Sequence, residues 1–225
     1  MINFARTLVS LVVICLLLGL ALPIAAQDHG PTVEPIVTVQ YAVWLDGSRV
    51  EDSEAILTRL EHGLSMSLET SGLVPGDAYT VWWTIFDVPQ NCSDGVCGPD
   101  DVFLTDDTGQ FVLDENGERL FNFASIEAAQ ISTMRATGAI AYDDGTAYFR
   151  AHLPIGDMTD DPIHGTGLHN PMSAEVHLIV RTHGPAQQDI LTDQLFTLAG
   201  GCQNAFTLPC DVSQFAFFSS PTSPD

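Results

Sequence analysis

Five of the seven histidines, His152, His164, His169, His177 and His183, fall between positions 152 and 183. Imidazole is the commonest metal-ligating side chain and titrates near neutral pH, so the cluster points to a metal site, a general base or a polar binding surface. His177 and His183 belong to Ala174–Gly184, which reads as one strand with two faces. Successive side chains alternate, so Val176, Leu178, Val180 and Thr182 share one side. Glu175, His177, Ile179, Arg181 and His183 share the other. His152 lies in a second strand of the same kind, where Tyr148, Arg150 and His152 oppose Ala147, Phe149, Ala151 and Leu153. Between the two strands runs 154–171, a Gly- and Pro-rich loop carrying His164 and His169.

Three chemistries fit these residues. In a binding module, Arg150 and Arg181 hold a carboxylate or sulfate of an extracellular ligand while Tyr148 or a tryptophan stacks on it, with His152, Glu175, His177 and His183 completing the surface. In a metal-dependent enzyme, a transition metal sits on three of His152, His164, His169 and His177, with Glu175 as a further ligand and a position open for water or dioxygen. His177 and His183 cannot share one ion, because six residues of extended chain span roughly 20 Å. No His-x-His or His-Glu-x-x-His spacing occurs, which separates the chain from cupins and copper/zinc superoxide dismutases. In the third reading the polar row is structural: His177 bonds to Glu175, and Arg150 and Arg181 pair with carboxylates across strands.

Other chemistries find less support. There is no Gly-x-Ser-x-Gly elbow, and no carboxylate pair stands out as a glycosidase couple. The Asp-rich turns at Asp100-Asp101, Asp106-Asp107 and 157–161 suggest structural calcium, yet none has the twelve-residue EF-hand pattern. The balance leans away from an enzyme and leaves the ligand unidentified.

The rest of the chain sets the compartment. Residues 1–26 read as a secretory signal: Arg6 precedes an apolar run from Leu8 to Leu22, and small residues follow up to Ala26. Its removal leaves a chain read as one β domain over 27–218 and a polar, disordered tail over 219–225, with no stable membrane insertion afterwards. The formal charge is −22, from seven arginines and 29 carboxylates with no lysine, and the mature chain loses Arg6 as well. Such a field disfavours nucleic acid and anionic membranes as partners and suits solvation at high salt. Cys92, Cys97, Cys202 and Cys210 remain after processing; in an oxidising compartment they favour two disulfides, Cys92 with Cys97 and Cys202 with Cys210. A zinc site on the four thiols is the competing reading, although neither pair has the two-residue spacing of structural zinc.

The elements that position these groups are mostly short strands. Ile36–Leu45, Ala55–Leu60, Leu64–Thr70, Tyr79–Asp87, Ala136–Tyr142, Ala147–Leu153, Ala174–Gly184 and Val212–Phe218 carry the β-branched, aromatic or alternating patterns of strands. Pro75-Gly76 and Asp143-Asp144-Gly145-Thr146 are clear turns. Trp82 and Trp83 face opposite ways, and burial of both requires a sheet covered on both sides. Helical character is confined to Ser125–Met134 and Asp189–Leu195. The fold expected is all-β, an antiparallel β-sandwich or open barrel with long disulfide-held loops and at most one or two short helices.

Thr70–Trp83, the Cys92–Cys97 loop and Ala174–Pro185 resemble a group of uncharacterised exported bacterial proteins, over most of residues 55–202. The resemblance implies secretion, to the cell envelope, periplasm or exterior, and a β-sandwich; it brings no activity. The expectation is therefore an exported binding or interaction module, with a metalloenzyme or a structural cell-envelope protein as alternatives.

Overall fold

The computed structural model describes residues 33–158, 162–202 and 210–221. The chain divides into two units, 1–32 and 33–225, and the fold is that of the second. The expected signal segment lies outside the described residues.

Two antiparallel sheets face each other. The first contains β1 (Ile36–Gln40), β3 (Glu54–Leu60), β4 (Gly63–Thr70) and β7 (Ala147–Pro154), in the order β1-β3-β4-β7. The second has β2 (Val43–Trp44), β5 (Asp77–Phe86), β6 (Ile131–Ile140), β8 (Pro162–His164), β9 (Glu175–Pro185) and β10 (Val212–Phe218), in the order β2-β10-β9-β5-β6-β8. Leu57, Leu64, Leu68, Phe149 and Leu153 of the first sheet share one apolar core with Val81, Trp83, Ile85, Val176, Leu178 and Val180 of the second. The protein is a β-sandwich, as the alternating patterns require.

The two outer faces differ. Beyond its first residue β5 is buried along its whole length, so its sheet is covered on both sides. Trp82 and Trp83 are each 1 % exposed although they point in opposite directions. Part of the outer cover comes from the excursion 87–130, whose Cys92, Cys97, Val102, Ile126 and Ala129 join Phe86 of β5 and Ile131 of β6 in a second core, with Phe103 and Phe121 packed against it. Asp101 organises its entrance by accepting hydrogen bonds from the Ser93 amide and hydroxyl and the Gly98 amide at 2.7–2.9 Å. Three short helices occur among the described residues: α1 (Pro99–Val102), α2 (Phe123–Ala128) and α3 (Leu191–Phe196). The single turn of α1 has no counterpart in the sequence expectation. α3 packs against β5 and β6, and Gly138 permits the approach, since a β-carbon there would lie 2.6 Å from the Leu195 carbonyl oxygen.

One expectation is overturned. The helix expected over Ser125–Met134 stops at Ala128; Gln130 then takes φ 49° and Ile131 begins β6. β-Branched Ile131 and Thr133, with Ser132 between them, find a better place paired with Phe86, Thr84 and Ile85 than in a further helical turn. Both disulfides, Cys92–Cys97 and Cys202–Cys210, form as expected, so the four thiols are not a zinc set.

Candidate functional site

The β9 row faces outward from the six-stranded sheet and is largely buried beneath the covering segments. His177 donates from Nε2 to the Glu175 carboxylate at 2.7 Å. Its ring lies 4.8 Å from that of Phe86 and 4.7 Å from that of Phe217. Arg181 is 2 % exposed, and its Nη2 donates to the Cys210 carbonyl at 3.3 Å. Burial lowers its pKa to about 10; the Asp211 carboxylate favours the cation and Arg119 opposes it. A guanidinium so enclosed holds the chain together and cannot greet a ligand.

His183 is equally enclosed. Its Nε2 lies 2.7 Å from Thr80 Oγ1, which also accepts from Trp82 Nε1 at 2.8 Å, and its Nδ1 is 3.5 Å from Cys210 Sγ. Gly200, at φ +56°, closes the pocket, because a β-carbon there would fall on the His183 ring. Burial, helped by Arg181, lowers the His183 pKa to about 4. The unfolded imidazole takes its proton near 6.5, so this group's contribution to stability is complete above 6.5 and is lost as pH falls through about 4. Acidification from pH 7 to below 4 should cost roughly 3 kcal/mol through this side chain alone. Urea unfolding at a series of pH values checks this, and His183→Gln should flatten that part of the acid limb.

The loop histidines occupy separate places. His164 sits in β8 and pairs with Thr133, so one row across the sheet reads Phe217, His177, Thr84, Thr133, His164. His177 and His164 thus stand three strand spacings apart, about 14 Å. His164 Nδ1 donates to the Ile131 carbonyl at 3.3 Å, and burial lowers its pKa. His169 is exposed, with Nε2 2.8 Å from Thr166 Oγ1, and its backbone amide donates to Asp87.

Tyr148, Arg150 and His152 are on the other sheet. Their strand contributes Phe149 and Leu153 to the core that Val176 and Leu178 enter from β9, so the two polar rows leave the sandwich in opposite directions. The composite surface expected from β7, the 154–171 loop and β9 is therefore not assembled, and His152, His164, His169 and His177 do not come together. Among the described residues no group of three or more His, Cys, Asp or Glu side chains could hold a metal ion. Among the Asp-rich turns, Asp106 instead accepts from the Thr108 and Gln110 amides and the Thr108 hydroxyl, and Asp101 holds the loop before α1. Residues 159–161, part of another such turn, lie outside the described residues.

The outer face of the four-stranded sheet carries the exposed chemistry. Arg150 donates from Nε to the Tyr148 hydroxyl, and its guanidinium carbon lies 4.7 Å from the Tyr148 ring centre. The structural reading pairs Arg150 with a carboxylate across the strand; its cross-strand neighbour is instead Ser67, and it forms no ion pair with a described carboxylate. His152 Nδ1 lies 2.9 Å from Ser65 Oγ. Register places Val37, Thr58, Ser65 and His152 in one row, and Val39, Ile56, Ser67 and Arg150 in the next. The arrangement sets three hydroxyls, Thr58, Ser65 and Ser67, between exposed valines at one border and an aromatic-backed cation at the other.

A second exposed pair escaped the sequence reading. The Arg49 guanidinium carbon lies 4.6 Å from the Tyr41 ring centre. Alternation of Val37, Val39 and Tyr41 was visible as a signal for one outward face, but the partnership with Arg49 needs the chain to turn back after β2. The sequence matches no protein-family model and no curated protein.

Proposed function

We propose that the protein is an exported binding module that captures an acidic extracellular glycan, through carboxylate or sulfate groups, on the open face of its four-stranded sheet. The reading rests on Arg150. In a chain with 29 carboxylates and seven basic side chains, this exposed guanidinium is braced by a tyrosine and neutralised by no described carboxylate. A planar cation held in this way presents its remaining N–H groups as a fork for a carboxylate or sulfate. Ser65, Ser67, Thr58 and His152 lie beside it as hydrogen-bonding partners for sugar hydroxyls. Two disulfides and the apolar N-terminal run agree with export, and no helix among the described residues is long and apolar enough to cross a membrane.

A glycan array tests the reading. The wild type should capture uronate- or sulfate-bearing glycans and release them as salt is raised, since an exposed charge contact is screened over about 8 Å at physiological ionic strength. Arg150→Ala should retain the wild-type circular dichroism spectrum and lose capture by at least about tenfold, the loss of one charged hydrogen-bonding contact. Arg181→Ala should damage folding instead, because that side chain is enclosed. A wild type that captures no acidic glycan would refute the proposal.

A further inference from the structure

We infer that the ligand bears two acidic groups about 14 Å apart, joined by a neutral hydroxyl-bearing span, and that Arg49 with Tyr41 is its second anchor. The inference rests on the binding reading above and specifies its ligand as an oligosaccharide acidic at intervals.

The row that includes Tyr148 carries the argument. Tyr148 pairs with Glu69, and Glu69 pairs with Glu54. Gln40 pairs with Ala55 as the last rung of the ladder, and Tyr41 and Glu54 are the residues that flank this rung at the far border. Tyr41 is 44 % exposed and Tyr148 39 %, and each carries an exposed arginine over its ring, at 4.6 and 4.7 Å. Neither Arg49 nor Arg150 forms an ion pair with a described carboxylate. The row therefore has an arginine-capped tyrosine at each end and two glutamates between them, and three strand spacings put the two tyrosines about 14 Å apart.

The two central glutamates decide the ligand class. Both are exposed, and like charges directly opposite each other on a sheet are unfavourable. They would repel a chain charged at every unit, such as a nucleic acid or a densely sulfated polymer, wherever it crossed the middle of the face. An acidic group at either border meets an arginine, and a neutral middle meets the hydroxyls of Ser65, Ser67 and Thr58 in the neighbouring rows. Attraction at the ends and repulsion in the centre select spacing as well as charge.

Calorimetric titration of the full mature chain provides the test, with three probes: oligosaccharides bearing uronates at both ends with graded neutral interiors, their single-uronate counterparts, and a densely sulfated polymer. Two-ended ligands of matching span should bind at least about tenfold more tightly than single-ended ones, because the second contact becomes intramolecular. Arg49→Ala should abolish that advantage, reducing the matched two-ended ligand to the affinity of a single-ended one, whereas Arg150→Ala should weaken two-ended and single-ended ligands alike. A Glu54→Gln, Glu69→Gln double variant should gain affinity for the dense polymer. Single-ended binding without length dependence, or an Arg49→Ala variant equal to wild type towards the matched ligand, would overturn the two-anchor inference and leave the binding reading standing. Failure of the wild type to bind any acidic probe would remove both.

Discussion

Arg59→Ala should lower the unfolding free energy by about 3–5 kcal/mol, because a charged donor is withdrawn from buried carbonyls of Pro171 and Ala174 and from the part-buried Ser219 carbonyl. Arg59 is fully buried on the inner side of β3. Its Nη1 donates to the carbonyls of Pro171 at 3.0 Å and Ala174 at 2.6 Å, and its Nη2 to Ser219 at 3.1 Å with a longer contact to Phe218 at 3.5 Å. One side chain of the four-stranded sheet thus fastens the start of β9 and the end of β10 in the other sheet. Burial lowers its pKa to about 10, countered in part by Glu175, so the cation persists at neutral pH. Urea unfolding at pH 7 should show a lower midpoint with an unchanged slope, the mark of lost stability without a change in the surface exposed. Arg59→Lys should recover only part of the loss, since an ammonium lacks the fork that reaches several carbonyls at once. An Arg59→Ala variant as stable as wild type would show that the clamp contributes nothing.

Asp87→Ala should cost about 2–3 kcal/mol for a related reason, the removal of a buried charged acceptor from two part-buried amides. Asp87 directly follows β5 and is 4 % exposed. It accepts from the His169 amide at 3.0 Å through both oxygens and from the Asn170 amide at 2.6 Å, which pins the approach to β9. Burial raises its pKa, and these two amides pull it part of the way back. Folding therefore disfavours its ionisation, so its contribution to stability rises as pH falls from neutral through the raised value and levels off below the unfolded value near 3.9. The stability gap between wild type and Asp87→Asn should widen on acidification. Losses at His183 occur in both proteins and cancel from that difference. A gap that narrows would mean the carboxylate is favoured by folding.

Both residues illustrate what one strand's pattern leaves unsaid. Arg59 occupies an inward position between Leu57 and the turn at Gly63, where alternation assigns an apolar residue; only the opposite sheet supplies the carbonyls that make an arginine suitable. Asp87 follows Phe86 at a strand end and reads as an ordinary turn carboxylate until the loop from 169 to 170 is laid across it. Arg181 and His183 were legible as lying on a non-core face, yet their burial depends on Cys210, Gly200 and α3, which arrive later in the chain. The sequence could not distinguish an outward side chain open to solvent from one beneath a second layer.

The strands, their alternation, a preference for the two local disulfide pairs and the opposite facing of Trp82 and Trp83 follow from local spacing, whereas the pairing itself and the burial of both tryptophans are shown by the fold. Residue type and a period of two act over a few positions, and a short loop limits which cysteines meet. Sheet membership is different. β7 and β9 carry the same two-faced pattern, but pairing across roughly 80 to 110 residues, β7 with β4 and β9 with β5, places them in separate sheets, with cores inward and polar rows pointing apart. That long-range choice divided the expected composite surface, buried the β9 half and left Tyr148 and Arg150 exposed on the same open face as Tyr41 and Arg49.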